Sequence, residues 1–146
     1  MNVRVTGLNP SAPVPWWIRP LALLAVGIAR VLGRARPATL RPTLELLRRG
    51  AEPATEEQAS RALDAVLKVS VRCGGEWCLQ RAIACALTCR MTGTWPEWCT
   101  GVRLQPFEAH AWVAVDGKPV GENPHTMPYF RTVWSVPPIT ASRERH

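Results

Sequence analysis

Cys78 opens a run with helical spacing, and thirty-two residues later His110 opens the strand-like run His110-Ala111-Trp112-Val113-Ala114-Val115. A thiol and an imidazole are the two working parts of a cysteine-nucleophile enzyme. A free thiol, with a pKa of about 8.5, is mostly protonated at neutral pH and is then a poor nucleophile. A helix start lowers that value, because its unpaired N–H groups carry partial positive charge. An imidazole within hydrogen-bond reach completes the activation by holding the proton. Such a pair can carry out acyl transfer. The thiolate attacks a carbonyl, the helix-start N–H groups help hold the oxyanion, and the imidazolium protonates the leaving amine.

A third group must orient the imidazole through its other nitrogen. After His110 the chain reaches Asp116-Gly117, a strong hairpin signal. The returning strand, Lys118 to Glu122, brings Glu122 back beside His110, so Glu122 is the expected orienting acid. Asn123 is the neighbouring alternative, since an amide does this work in papain-like enzymes. Asp116 sits in the turn itself and is expected to shape it rather than to hold the ring.

The elements that must position these groups follow from periodicity. Residues 1–15, with Pro10, Pro13 and Pro15, read as a flexible arm. Residues 16–50 read as a helical N-terminal region suited to partner docking. Pro20 fits a first helical turn, Leu21, Leu24, Ile28 and Leu32 recur at helical spacing, and Gly33 and Pro37 stop the helix. A second short helix is expected from Pro42 to Arg49. Residues 51–146 read as the enzyme core. A third helix is expected from Thr55 to Val71, with Thr55 as cap and Glu56 and Glu57 at the positive end of the dipole. Gly74-Gly75 breaks the chain before the helix that Cys78 opens, which is expected to bury Leu79, Ala82, Ile83, Ala86 and Leu87. The period then changes to two over Trp98–Leu104 and Ala109–Val115. From Asn123 onward prolines punctuate the chain, with Tyr129, Phe130 and Trp134 as packing anchors. Helices first and an antiparallel sheet afterwards make an α+β layout, in which the nucleophile helix packs on a small antiparallel sheet.

Cys78-Leu79-Gln80-Arg81, followed by Ala109-His110-Ala111-Trp112-Val113, resembles the transglutaminase-like cysteine peptidases. In particular it looks like the small leader peptidases of lasso-peptide biosynthesis. Members of that group read Cys-Leu-any-Arg on a helix, then a Gly-Val turn into His-Ala-Trp-Val, a short hairpin and an acid. The match is good over about residues 73 to 123, and His-Ala-Trp alone is shared by transglutaminase-like proteins generally. The resemblance implies a transglutaminase/papain-like core and a Cys78–His110 pair, with Glu122 where the family usually has Asp. It implies removal of a leader peptide from a ribosomally made precursor, so that an ATP-dependent cyclase can close the ring. It also implies a separate leader-recognition protein, because the chain is too short to hold that module as well. No cofactor and no metal are implied.

Other residues have plainer readings. Cys85 and Cys89 follow Cys78 along one helix face without the Cys-any-any-Cys spacing of structural zinc, and read as small buried thiols. Cys73 and Cys99 read as incidental, and His125 and His146 stand in no constellation. Trp112 is expected to pack under the sheet. Arg81 is expected to be a helix-face charge or the partner of a carboxylate such as Glu97 or Glu108, with contact to substrate as the alternative.

Composition narrows the class. The 146 residues suit about one domain, and 47% hydrophobic content excludes general disorder. The net charge is +7, with many arginines before residue 50. No nucleic-acid motif accompanies them, so an acidic peptide or protein partner is the better reading, with an arginine-rich genome as the plain alternative. Five cysteines without a signal-peptide pattern suggest a reducing cytoplasm. The apolar run in residues 16–32 has an uncharged part too short to span a bilayer, although it could lie on a membrane surface. Two rival functions remain at this level: an amidase or acyltransferase of the same superfamily, and a non-catalytic adaptor that docks a precursor or a cyclase.

Overall fold

A computed structural model describes residues 17–69, 78–122 and 125–139. The fold is α+β. Helices α1 (Ile18–Leu32), α2 (Pro37–Leu47), α3 (Glu56–Val69) and α4 (Cys78–Met91) precede the main sheet. The strands are β1 (Glu52–Pro53), β2 (Thr94–Trp95), β3 (Glu97–Leu104), β4 (Phe107–Val115), β5 (Lys118–Pro119) and β6 (Arg131–Val136).

Helix α4 is the centre of the molecule. Every residue from Arg81 to Cys89 is buried, so the helix is covered on all sides rather than on the one face expected, with Leu79 half-buried. Its sequence allows this because alanines, cysteines and one isoleucine fill most of that stretch. Helices α1 and α3 pack on one side of it and strand β4 on another. Helix α1 presents Ile18, Ala22, Ala25, Val26 and Ala29 inward, a stripe at helical spacing. Helix α3 begins with a reciprocal cap. The Gln58 N–H donates to Thr55 Oγ1 (3.1 Å), and the Thr55 N–H donates to Gln58 Oε1 (2.9 Å).

Helix α2 differs from expectation. Pro37 starts it instead of ending α1, which closes at Gly33. Arg36 is extended, as a residue before proline prefers, and this leaves Pro37 in the first turn, where its missing N–H is harmless. Pro42, expected to begin the helix, lies inside it.

The main sheet has the antiparallel order β5-β4-β3-β6. Strand β3 pairs with β4 from Glu97↔Ala114 to Leu104↔Phe107. Asp116 (φ 53°) and Gly117 (φ 79°) make the expected tight turn, since both central residues adopt positive φ. The returning strand is shorter than expected. It keeps the ladder only to Pro119, Val120 adds one bond to the Val113 carbonyl, and Gly121 (φ 70°) then turns the chain away. Strand β6 and the parallel β1–β2 pair were not expected. The first lies in a proline-punctuated region, and the second has two residues per strand. Phe130 and Trp134 do pack against buried clusters, but Tyr129 is 68% exposed and anchors nothing. The Gly74-Gly75 break and Cys73 lie outside the described residues.

Candidate active site

Cys78 is the first residue of α4, where the N–H groups of the opening turn have no helical partner. His110 stands on β4, opposite Gly101 of β3. Glu122 follows β5 and the turn at Gly121. The short hairpin folds Glu122 back until its Oε1 lies 2.6 Å from His110 Nε2. That engages one ring nitrogen and leaves Nδ1 as the nitrogen available to the thiol. The His110 side chain and the Ala111 backbone stand close enough to the Cys78 thiol for both to lower its pKa. Sequence reading and geometry therefore bring Cys78, His110 and Glu122 together. Asp116 remains in its turn, and Asn123 lies outside the described residues.

The electrostatics favour a charged pair. Burial pushes the Cys78 thiol up, but the hydrogen bonds from His110 and Ala111 and the positive charges of His110 and Arg81 outweigh it. The net result is a thiol held below its ordinary value. Burial pushes His110 down, but its hydrogen bonds to Cys78 and Glu122 and their negative charges raise it to about 9. Each group favours the charged form of the other, giving thiolate and imidazolium.

Arg81 follows Cys78 by one helical turn, and its side chain is 2% exposed. Its Nη2 lies 3.3 Å from Glu122 Oε2. The carboxylate is thus shared, one oxygen toward His110 and the other toward Arg81. The expected partners of Arg81, Glu97 and Glu108, are not the ones found. Glu108 instead pairs with Arg103 directly across the strand ladder at 2.7 Å. The one sequence signal for the true pairing is the one-turn spacing from Cys78. That spacing puts Arg81 at the same end of the helix, but its partner is forty-one residues away.

Aromatic rings hold the imidazole. Trp112 is nearly parallel to it at 5.7 Å between ring centres, and Phe130 is tilted against it at 5.3 Å. Trp112 packs with Cys99, Ala114, Met127 and Phe130, on the face of the sheet away from the main core. Beside Glu122 a cleft of about 400 Å³ opens between Pro119, Met127 and Pro128.

The other described thiols are buried and free. Cys85 donates to the Ala59 carbonyl at 3.6 Å, and its neighbour Cys89, together with burial, pushes its thiol well above the ordinary range. Burial and then the charge of Glu97 push Cys99 up to about 12. Among the described residues, no three His, Cys, Asp or Glu side chains cluster as a metal site. None of the described helices is long and apolar enough to cross a membrane.

Comparison with known families fits this geometry. A model described as the transglutaminase-like superfamily matches residues 22–135. The chain belongs to the transglutaminase-like superfamily. The match runs from within α1 to within β6, and so takes in helix α4 with Cys78, strand β4 with His110, and Glu122. The transglutaminase-like superfamily contains cysteine-dependent enzymes, cysteine proteases among them. No curated protein and no solved structure matches the chain.

Proposed function

We propose that this chain is a cysteine peptidase that removes the leader from a lasso-peptide precursor. The observation that carries this reading is the continuous line of contacts Cys78–His110–Glu122 at the start of a buried helix. The Cys78-Leu79-Gln80-Arg81 and Ala109–Val113 wording supports the narrower substrate class.

The chemistry needs only these residues and water. The Cys78 thiolate adds to the scissile carbonyl carbon, and the carbonyl electrons move onto oxygen. The N–H groups of the first α4 turn lie at the same helix end to receive that charge. The C–N bond breaks as imidazolium His110 gives its proton to the departing amine, leaving a thioester on Cys78. Water then gives a proton to His110 and attacks the thioester. The leader leaves as a carboxylic acid, and the thiolate–imidazolium pair returns. Glu122 keeps the ring oriented throughout.

In this reading a separate recognition protein delivers the leader, and an ATP-dependent cyclase uses the freed amine, in the cytoplasm or at a membrane surface. Residues 16–50 serve docking and residues 51–146 catalysis. Leu23, Leu24 and Val31 stand exposed on α1, apolar surface that docking would cover.

The test is an intact-mass cleavage assay on the precursor, with and without the recognition protein. One cut is expected, adding one water across the products, and it disappears in Cys78→Ala. A cut that persists in Cys78→Ala overturns the reading. A product carrying an amine in place of water makes the protein an acyltransferase, and no reaction by folded protein with its partner favours an adaptor.

A further inference from the structure

Among the described residues, Arg81 is the one arginine that the fold buries almost completely, at 2% exposure. A guanidinium loses most of its hydration at such a site, so its position must be balanced by a specific partner. The partner found is Glu122, at 3.3 Å from Nη2 to Oε2. Glu122 is itself buried, with its side chain 7% exposed, and its other oxygen meets His110 Nε2 at 2.6 Å. The four groups form one line: Arg81, Glu122, His110, Cys78.

The line has a direction. Glu122 reaches His110 from a turn, after a strand that ends at Pro119, and a turn alone sets a long carboxylate poorly. Arg81 is fixed on α4, where every residue from Arg81 to Cys89 is buried. A cation fixed on α4 therefore holds the end of the line that comes from a turn, while the nucleophile stands three residues earlier on the same helix. We propose that Arg81 is a positioning residue that holds the Glu122 carboxylate in its orientation toward His110, and so supports the Cys78–His110 pair. It touches none of the reacting atoms and acts through Glu122, with its own charge adding directly to the field at Cys78.

Among the described residues, the charged and titratable groups that the structure places around the line come from α4, the turn after β5, and strands β3 and β4. Helix α4 contributes Cys78 and Arg81, with Cys85 feeling the Arg81 charge, and the turn after β5 contributes Glu122. Strands β3 and β4 contribute Arg103 and Glu108, which are paired with each other, and Arg103 lies over Phe130, the ring tilted against His110.

The proposal rests on the Cys78–His110 reading of the site, and its test needs no peptide substrate. The full chain carrying Cys73→Ser is alkylated with iodoacetamide across pH, and the rate at Cys78 is followed by peptide mass. The parent is expected to show its inflection below that of an ordinary thiol. Arg81→Met is expected to move the inflection upward and to slow alkylation at pH 6 about tenfold, the effect of roughly one pKa unit. Arg81→Gln keeps a donor but removes the charge, and is expected to behave likewise. It also carries the test if Arg81→Met does not fold. Arg81→Lys restores the cation and is expected to recover part of the shift. An ordinary thiol inflection in the parent overturns the ion-pair reading itself. A low inflection in the parent that neither folded neutral variant moves overturns the role of Arg81 alone.

Discussion

Gly101 lies directly opposite His110 in the β3–β4 ladder, and the space above its Cα is already occupied. A Cβ there would come within 2.8 Å of the Trp112 ring and run into the backbone carbonyl of Arg131 on β6. The register of β6 also shifts between Thr100 and Gly101. Glycine therefore lets β6 close in at the point where Trp112 must lie flat against His110. Backbone cannot give way as the end of a flexible side chain does. Gly101→Ala is expected to lower stability by about 1–3 kcal/mol through overpacking. It is also expected to slow Cys78 alkylation, because the support of the imidazole shifts. Urea unfolding with the alkylation rate checks both, and a variant as stable and reactive as the parent would refute the account.

The ion pair gives a pH signature with a definite sign. In the proposed peptidase reaction, cleavage needs the thiolate, so its rate rises as pH climbs through the lowered Cys78 value. It also needs a proton on His110 for the departing amine, so it falls as pH passes through about 9. The two steps belong to the coupled pair rather than to either residue. Alkylation needs the thiolate but no general acid. It should therefore rise with pH and show no alkaline fall. The same titration should spare Cys85, Cys89 and Cys99, which are buried. Two profiles that fall together above pH 9 would remove His110 from the role of acid.

Much of this site is legible in sequence because its parts are local. The α4 start, the Asp116-Gly117 turn and the period-two strand each lie within a few residues, and together they carry Glu122 to His110. The Arg81–Glu122 contact is not local. It depends on how far the hairpin folds back over α4, and no spacing rule encodes that. Pro37 and Pro42 each suit a first helical turn, and the packing of Leu40 and Leu44 into the core favours the start at Pro37 over the expected start at Pro42. Strand β6 alternates only weakly, with Arg131, Thr132 and Val133 all exposed, so its sequence carries little sign of burial on one face.

The Thr55–Gln58 cap separates stability from catalysis. Neither residue touches Cys78, His110, Glu122 or Arg81, yet the cap closes the start of the helix that packs along α4. Thr55→Ala is expected to cost about 1 kcal/mol of stability. It should leave the pH profile of Cys78 alkylation unchanged. Thermal unfolding and the alkylation titration read the two effects separately. A moved inflection would mean that α3 sets the geometry of the site and not only its stability.

Glu122 offers the sharpest test of the proposed catalytic line, because the leader peptidases that the sequence resembles usually have Asp at the matching position. In this chain one carboxylate spans two partners, His110 at 2.6 Å and Arg81 at 3.3 Å. An aspartate on the same backbone is one methylene shorter and is expected to reach one partner at the expense of the other. A displacement of that size at an orienting group costs roughly 10- to 100-fold in rate. Glu122→Asp is therefore expected to lower kcat by about that factor while KM changes little, since the groups it disturbs act on the reacting bond. Glu122→Gln keeps the reach but removes the charge that raises His110, so its alkaline limb should move to lower pH. Full kcat in Glu122→Asp would mean that the turn after Pro119 adjusts freely. The ring would then owe its orientation to Trp112 and Phe130 rather than to the carboxylate.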